Sequence, residues 1–249
     1  AAGGTNLANN YSVNTQSALN TGTASGNIEF QSTTGTIVLD GDLISSGRTN
    51  TDKAGSNAGT ILVRTQGANK NIAITGALTA SGGNSTFAGA DGGNAATITV
   101  TSNAATVTLD KTSITAAGGN PGNGADIGDG KNITFNTSAG DSTVILAGGG
   151  LTTISTGTTG GNISFTNNLL RSTANEPLTL TSGTGDITFG ENVGAGTAAQ
   201  ALGKVIISNA KDVTISGTFT ATEIAQTVLG TGTFANAGLI TTTAGGARI

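Results

Sequence analysis

One pattern limits what this chain can become: a pair of apolar residues in alternation that returns at a nearly fixed distance. The pair starts at Ile37, Ile72, Val107 and Val144, in steps of 35, 35 and 37 residues, and a further one starts at Val213. An earlier pair opens at Ile28, Ile61, Ile98 and Ile133, and the same phase assigns Leu178 and Val205 to it. A third apolar point follows six or seven residues after each middle pair, at Leu43, Leu78, Ile114, Leu151, Val193 and Phe219. Laid at an offset of 150, residues 177–193 match the apolar positions of residues 27–43 without a gap. Alternation with period two puts alternate side chains on one face of a strand. A period of this size marks a solenoid, in which each unit buries its apolar face only against its neighbours.

The expected fold is therefore all-β: a parallel β-helix solenoid with three short strands per coil, about 35 residues per repeat and variable loops at one corner. Ile72, Val107 and Val144 are expected to stack inward along one sheet. Residues 1–25 read as an irregular first coil or edge, and 26–249 as a β-helix segment of a longer repetitive protein. Residues 160–172 lack room for a full middle strand and read as a shortened or out-of-register coil. Residues 222–229 read as another strand rather than a helical turn. Asn27, Asn71, Asn132 and Asn162 each precede a strand isoleucine. They are expected in turns that favour left-handed backbone, with amides able to form ladders along the axis.

Composition narrows function mainly by subtraction. The 249 residues include 41 Gly and 2 Pro but no Cys, His, Met or Trp. Without His or Cys, the usual zinc ligands, a thiolate nucleophile and a Ser-His-Asp triad are all unobtainable. A net charge of −4 with 10 Lys and Arg argues against nucleic acid, which needs a clustered basic face. No apolar run reaches the length of a membrane span, and the first residues lack the charged-then-apolar order of a signal peptide. Disorder is disfavoured because 35% of the chain is hydrophobic and those residues keep register.

Glycine-rich loops at 45–59, 82–96 and 118–130 absorb the variation in coil length. They are expected to lie in water, so that removing residues 83–92 would leave the helix folded. They leave one corner a period apart and should stack into a single ridge about three coils, or roughly 10–15 Å, tall. Asp52, Asp91, Asp126 and Asp129 would make that ridge acidic and amide-rich, suited to a glycan or a neighbouring subunit.

Asp40-Gly41-Asp42 is the best carboxylate pair, and Asp110 falls at the repeat position of Asp40, but Thr75 intervenes. Glycoside hydrolysis needs two carboxyls held about 5–9.5 Å apart, and turn formation is the simpler role here. Residues 122–126 resemble part of a calcium-binding nonapeptide, yet occur once, whereas calcium there needs ligands from successive turns. Ice binding would need repeated Thr-x-Thr ladders. The outward row of the first strand reads Glu29, Leu62, Thr99, Thr134, Ser164, Thr179 and Ile206, too mixed for a lattice. Leu62, Ile145 and Ile206 point outward and are expected beneath covering loops. The expectation is of no catalytic residue, no cofactor and no metal.

Gly26-Asn27-Ile28, Gly161-Asn162-Ile163-Ser164-Phe165, Gly185-Asp186-Ile187-Thr188-Phe189 and the run from Gly76 to Asn84 carry a recognisable texture. From Gly26 to Thr220 the chain resembles the filamentous-haemagglutinin-like adhesins of two-partner secretion and the passenger domains of autotransporters. The resemblance implies a right-handed β-helix, secreted and displayed on the surface of a Gram-negative cell. It also implies a non-catalytic adhesin or exoprotein segment that attaches to a host or neighbouring-cell surface through a glycan or protein receptor. A self-assembling fibre or sheath subunit is the alternative, with self-association as its partner, and a carbohydrate-active β-helix enzyme comes third.

Overall fold

Three parallel sheets stack coil upon coil: the nine-stranded sheet spans the described residues, the eight-stranded one starts at Ile28, and the six-stranded one ends at Arg171 and is continued only by single bridges at Val193 and Phe219. The computed structural model describes residues 5–7, 12–16, 23–138, 143–173, 175–194, 201–227 and 232–249. The first coil contributes β1 (Thr5–Leu7) and β2 (Val13–Asn14). The next two give β3 (Ile28–Ser32), β4 (Ile37–Leu39), β5 (Leu43–Ile44), β6 (Ile61–Thr65), β7 (Ile72–Ile74) and β8 (Leu78–Thr79). Then come β9 (Ile98–Asn103), β10 (Val107–Asp110), β11 (Ser113–Thr115), β12 (Ile133–Ser138), β13 (Thr143–Ala147) and β14 (Thr152–Ser155). The sixth coil holds β15 (Ile163–Phe165), β16 (Asn168–Arg171) and β17 (Leu178–Thr181). The rest is β18 (Ile187–Phe189), β19 (Leu202–Asn209), β20 (Val213–Ile215), β21 (Phe219–Gln226), β22 (Phe234–Asn236) and β23 (Ile240–Arg248). Among the described residues the sheets hold six, nine and eight strands, and no helix occurs.

The alternation does what the pleat requires. Along β9 the residues are buried and half-buried in turn, and β6 and β10 repeat this. Ile72, Val107 and Val144 pair in register and are fully buried, as expected. The inward residues form one continuous core along the axis. Burying each such side chain contributes about 1.5–3 kcal/mol, offset by the entropy of ordering its coil.

The phase read from the sequence holds to Val144 and then slips. The eight-stranded sheet is entered at Ile28, Ile61, Ile98, Ile133, Ile163, Ile187, Val213 and Phe234. Steps of 33, 37 and 35 residues give way to 30, 24, 26 and 21. Leu178 and Val205, expected in the first strand, pair with each other in the nine-stranded sheet. Val213, expected in the middle strand, is a first strand paired with Ile187. The third apolar point of the fifth coil is Ile154, paired with Ile114, while Leu151 is 52% exposed. Val193 and Phe219 extend the middle stack from Leu169. The reason is that all three faces present the same apolar-x-apolar signature, so a fixed period has nothing local to correct it once the coil shortens.

Residues 160–172 do open a shortened coil, 24 residues from Ile163 to Ile187, but it keeps register: Ile163 opens β15, and Leu169 of β16 fills the middle position against Val144. In the tail, β21 extends through Gln226, while residues 228 and 229 lie outside the described residues. Among the described residues, left-handed backbone outside glycine occurs at Asn69, Ala104, Lys111 and Asn175, not at Asn27, Asn71, Asn132 or Asn162. Those four amides instead clasp the next coil. Their Oδ1 atoms accept from the main-chain N–H of Thr60, Thr106, Asn162 and Asp186 at 2.9–3.2 Å.

The glycine-rich corners stack into one ridge, as expected, but they are not the solvated loops that the sequence suggested. Residues 45–59, 82–96 and 118–130 do not loop through water. Each runs out from the nine-stranded sheet and returns, and the three lie flat upon one another as a flange. Gly47, Asn50, Gly55 and Ala58 donate main-chain N–H to Ser81, Asn84, Asp91 and Asn94, and Gly82, Ser85, Gly92 and Ala95 to Ala117, Asn120, Asp126 and Asp129. A second set ties the outgoing and returning legs: Gly83 donates to Ser56, Gly93 to Gly83, Gly119 to Gly93 and Gly128 to Gly119, at 2.8–3.0 Å. Gly83, Gly92, Gly93, Gly119 and Gly128 are buried. A Cβ on Gly93 would stand 2.0 Å from the Ser56 carbonyl oxygen, and one on Gly119 2.0 Å from that of Gly83. The legs approach this closely only because glycine has no side chain.

Candidate binding surfaces

The flange positions the acidic residues. Asp91 and Asp126 occupy equivalent places in the second and third layers: the Asp126 N–H donates to Asp91 Oδ1 at 3.1 Å, and the Gly92 N–H to the Asp126 carbonyl at 3.0 Å. Asp129 sits on a neighbouring ladder at the root of the returning leg. There Asn57 Oδ1 accepts from Asn94 N–H and Asn94 Oδ1 from Asp129 N–H, each at 2.8 Å. Its carboxylate also meets the Lys131 ammonium at 3.2 Å. Asp52 lies at the exposed tip of the first layer. The fold thus brings Asp91 and Asp126 together, places Asp129 beside them, and sets Asp52 apart on the first layer.

Sequence reasoning missed the apolar part of this ridge. Phe87 is 50% exposed and Ile127 42% exposed. A Cβ on Gly122 would lie 1.7 Å from the Phe87 carbonyl, so the second and third layers meet tightly beneath these side chains. Residues 122–125 form a β-turn at the tip, with Ala125 N–H donating to the Gly122 carbonyl and Gly124 at φ +81°. Glycine is the residue that takes this angle without strain. The internal repeat of Ser81-Gly82-Gly83-Asn84 as Ala117-Gly118-Gly119-Asn120, 36 residues on, is the signal that could have located the layers.

The third layer also closes the flange. Pro121 stands where Ser85 of the layer below donates its N–H to Asn120 at 2.8 Å, and proline has no N–H to offer. Ile127 stands where Gly92 of the layer below packs with no room for a Cβ. The fifth coil turns its corner over residues 156–161 without projecting, and Thr159 Oγ1 caps the Gly128 carbonyl at 2.6 Å.

The other carboxylates are dispersed. Asp42 Oδ1 accepts from the Ala77 N–H at 2.8 Å, a clasp of the same kind as the asparagines. Asp40 and Asp110 share a column of the six-stranded sheet two coils apart, on the order of 9.6 Å. Asp110 lies 3.9 Å from Lys111. Glu176 is buried, and its carboxylate accepts the Gly149 N–H at 3.0 Å, closing a tight turn. Asp212 is held below the usual carboxylate range, first by the Thr233 main-chain N–H and then by the Lys211 side chain. Lys211 is raised in turn by Asp212 and, more weakly, by Asp186. Among the described residues no group of three or more His, Cys, Asp or Glu is placed to hold a metal ion. Among them, too, no helix is long and apolar enough to cross a membrane.

Leu62, Ile145 and Ile206 point outward and are half-buried. Ile145 belongs to a row on the six-stranded sheet that runs Val38, Ala73, Thr108, Ile145 and Leu170. The chain was compared with protein-family models, with curated proteins and with solved structures, and nothing matches it in any of the three.

Proposed function

We propose that this chain is a segment of a secreted bacterial adhesin displayed on the surface of a Gram-negative cell. It acts as a non-catalytic, rigid β-helical stalk that mediates attachment. The observation that carries the reading is the pairing of a continuous three-sheet solenoid with one flange projecting from its side. Every strand of the stalk is bonded to a coil above or below, so a load along the axis is shared by the whole ladder. The flange offers acidic and amide groups at Asp52, Asp91, Asp126 and Asp129 beside Phe87 and Ile127, a mixture suited to a glycan or protein receptor.

Glycan-array and cell-binding assays test this with the parent and a variant carrying Asn at all four aspartates. Asparagine at position 91 keeps the Oδ1 that accepts the N–H of residue 126, and the N–H donors of residues 126 and 129 are untouched, so the flange should stay folded while its charge is lost. Binding by the parent that falls in the variant is the expected result. Equal binding removes the ridge as the contact, and no binding by the parent to any cell or glycan sinks the adhesin reading.

A further inference from the structure

With the register corrected, the outward row of the eight-stranded sheet is uniform over its middle coils; Glu29 and Leu62, with Gln31 and Arg64 beside them, precede that stretch and Ala235 follows it. Thr179 and Ile206 belong to the nine-stranded sheet, and Thr188 and Thr214 take their places. Over five consecutive coils the row reads Thr99, Thr134, Ser164, Thr188 and Thr214, in continuous register and without a bulge. A second column two residues along reads Thr101, Asn136, Thr166, Gly190 and Ser216. None of these ten positions carries a charge or an aromatic ring, and eight carry a hydroxyl. All ten are half-buried or exposed, while the residues between them, from Ile98 to Ile215, are buried.

The spacing follows from the fold. Rungs repeat at about 4.8 Å and the two columns stand about 6.6 Å apart, so the face is a grid roughly 19 Å long. Threonine is β-branched and stiff at χ1, so its methyl and hydroxyl hold fixed directions. The interior reinforces this: Phe135, Phe165 and Phe189 stack beneath the middle three rungs with ring centroids 5.0 and 5.5 Å apart and planes within 10°. The floor of the grid therefore repeats at nearly the same step as its surface.

We propose that this face binds the surface of ice. The ten positions lie on one continuous sheet face in unbroken register, and a surface that repeats is suited to a partner that itself repeats. A grid with no charge matches an uncharged partner. A grid with no aromatic platform lacks the stacking surface that sugar rings use, whereas methyl and hydroxyl groups at regular intervals can hold an ordered layer of water. The inference stands on the sheet and is independent of the attachment reading, which rests on the flange.

Slow growth of ice through a solution of the whole chain and a soluble control protein tests it, with the protein in ice and in liquid measured after partial freezing. The parent is expected to be enriched in ice several-fold over the control. The double variant Thr134→Lys with Thr188→Lys should fall to the control level, while Thr108→Lys on the six-stranded sheet should behave as the parent. Melting curves check that each variant is folded. If the double variant is not, the single Thr188→Lys is expected to lower enrichment on its own. Exclusion of the parent from ice overturns the proposal, as does undiminished enrichment of the folded lysine variants. Retention on an insoluble neutral glucan that depends on Thr134 and Thr188, without enrichment in ice, also overturns it and assigns the grid to a polysaccharide.

Discussion

The coils that carry the flange and the coils beyond it share their three sheets and little else. Between Ile28 and Ile133 the chain spends 33 to 37 residues per turn, with short strands and a projecting corner. From Ile163 onward it spends 21 to 26, and in the nine-stranded sheet β19, β21 and β23 lengthen to eight or nine residues while β15, β18, β20 and β22 stay at three. β21 turns a corner without a break: Phe219 continues the middle stack below Val193, and Ile224 pairs with Val205 in the nine-stranded sheet. The core differs as well. One inward column reads Phe30, Val63 and Val100 through the flanged coils, then Phe135, Phe165, Phe189 and Ile215 through the later ones, so three consecutive rings stack only beyond the flange. A β-helix thus sets its strand positions by its core and its period by its corners, and the two vary independently.

Four measurements would break or sharpen that contrast. The largest effect belongs to the shared core. Val107→Asp buries a carboxylate with no partner between Ile72 and Val144, and should cost upward of about 4 kcal/mol. Denaturant unfolding checks it, and a parent-like midpoint would disprove the register in the flanged half.

Next comes the flange itself. Gly93→Ala must push a Cβ against the Ser56 carbonyl, and a loss of about 1–3 kcal/mol is expected. Excising residues 84–92 removes the middle layer and should lower the melting temperature markedly, where a solvated loop would change stability by well under about 1 kcal/mol. Ser216→Ala, on the surface of the short coils, is the contrasting control and should stay within about 0.5 kcal/mol. If Gly93→Ala matches that control, the layers are not packed as described.

A smaller loss is expected in the aromatic half. Phe165→Leu keeps the site apolar but interrupts the stack between Phe135 and Phe189, at roughly 1–2 kcal/mol. Thermal unfolding with the near-ultraviolet signal of phenylalanine as probe should register it, and an unchanged midpoint would show that the rings merely fill space.

The smallest effect is electrostatic and confined to the last coils. Asp212 has a lowered folded-state pKa, so its contribution is present above the ordinary carboxylate value of about 3.9 and lost as pH falls through the lower, folded value. Lys211 works in the opposite sense. Its raised value makes its contribution complete below the ordinary lysine value of about 10.4 and lost as pH rises beyond the folded one. Hydrogen exchange at the Thr233 amide, which donates to Asp212, should quicken in acid relative to the amide of Ile98. An Asp212→Asn variant should lack that acid response, and a parent that lacks it too would unseat Asp212 as the clasp of the eighth coil.

How much of this was legible follows from which forces leave a mark in side chains. Burial does, so Ile72, Val107 and Val144 could be placed from alternation alone. The assignment of Leu178 and Val205 failed because Leu-x-Leu and Val-x-Ile look alike on every face, and only the pairing partner distinguishes them. The flange was legible in part: its three corners stack into one ridge as expected, but their packing was hidden. Its bonds join main chain to main chain, and the feature that permits them is a missing atom, as at Gly93 and Gly119. Such glycines read as flexibility until their recurrence beside Asn84 and Asn120 is noticed. Of the ridge, the sequence supplied Asp91 and Asp126 as neighbours, but the exposure of Phe87 and Ile127 depended on where the third layer ends.

Where that layer ends bears on how such a protein can lengthen. Duplication of a whole coil is the simplest way for a solenoid to grow. A copy of residues 61–97 inserted in place would carry its own glycine legs and thicken stalk and flange together. A copy of residues 163–186 would lengthen the stalk alone. A copy of residues 98–132 would bring a second Pro121 and Ile127 into the middle of the stack, where a donor and an empty Cβ site are required. The positions of one proline and one isoleucine thus divide the molecule into a stretch where repeats widen the projecting layers and a stretch where they add only length.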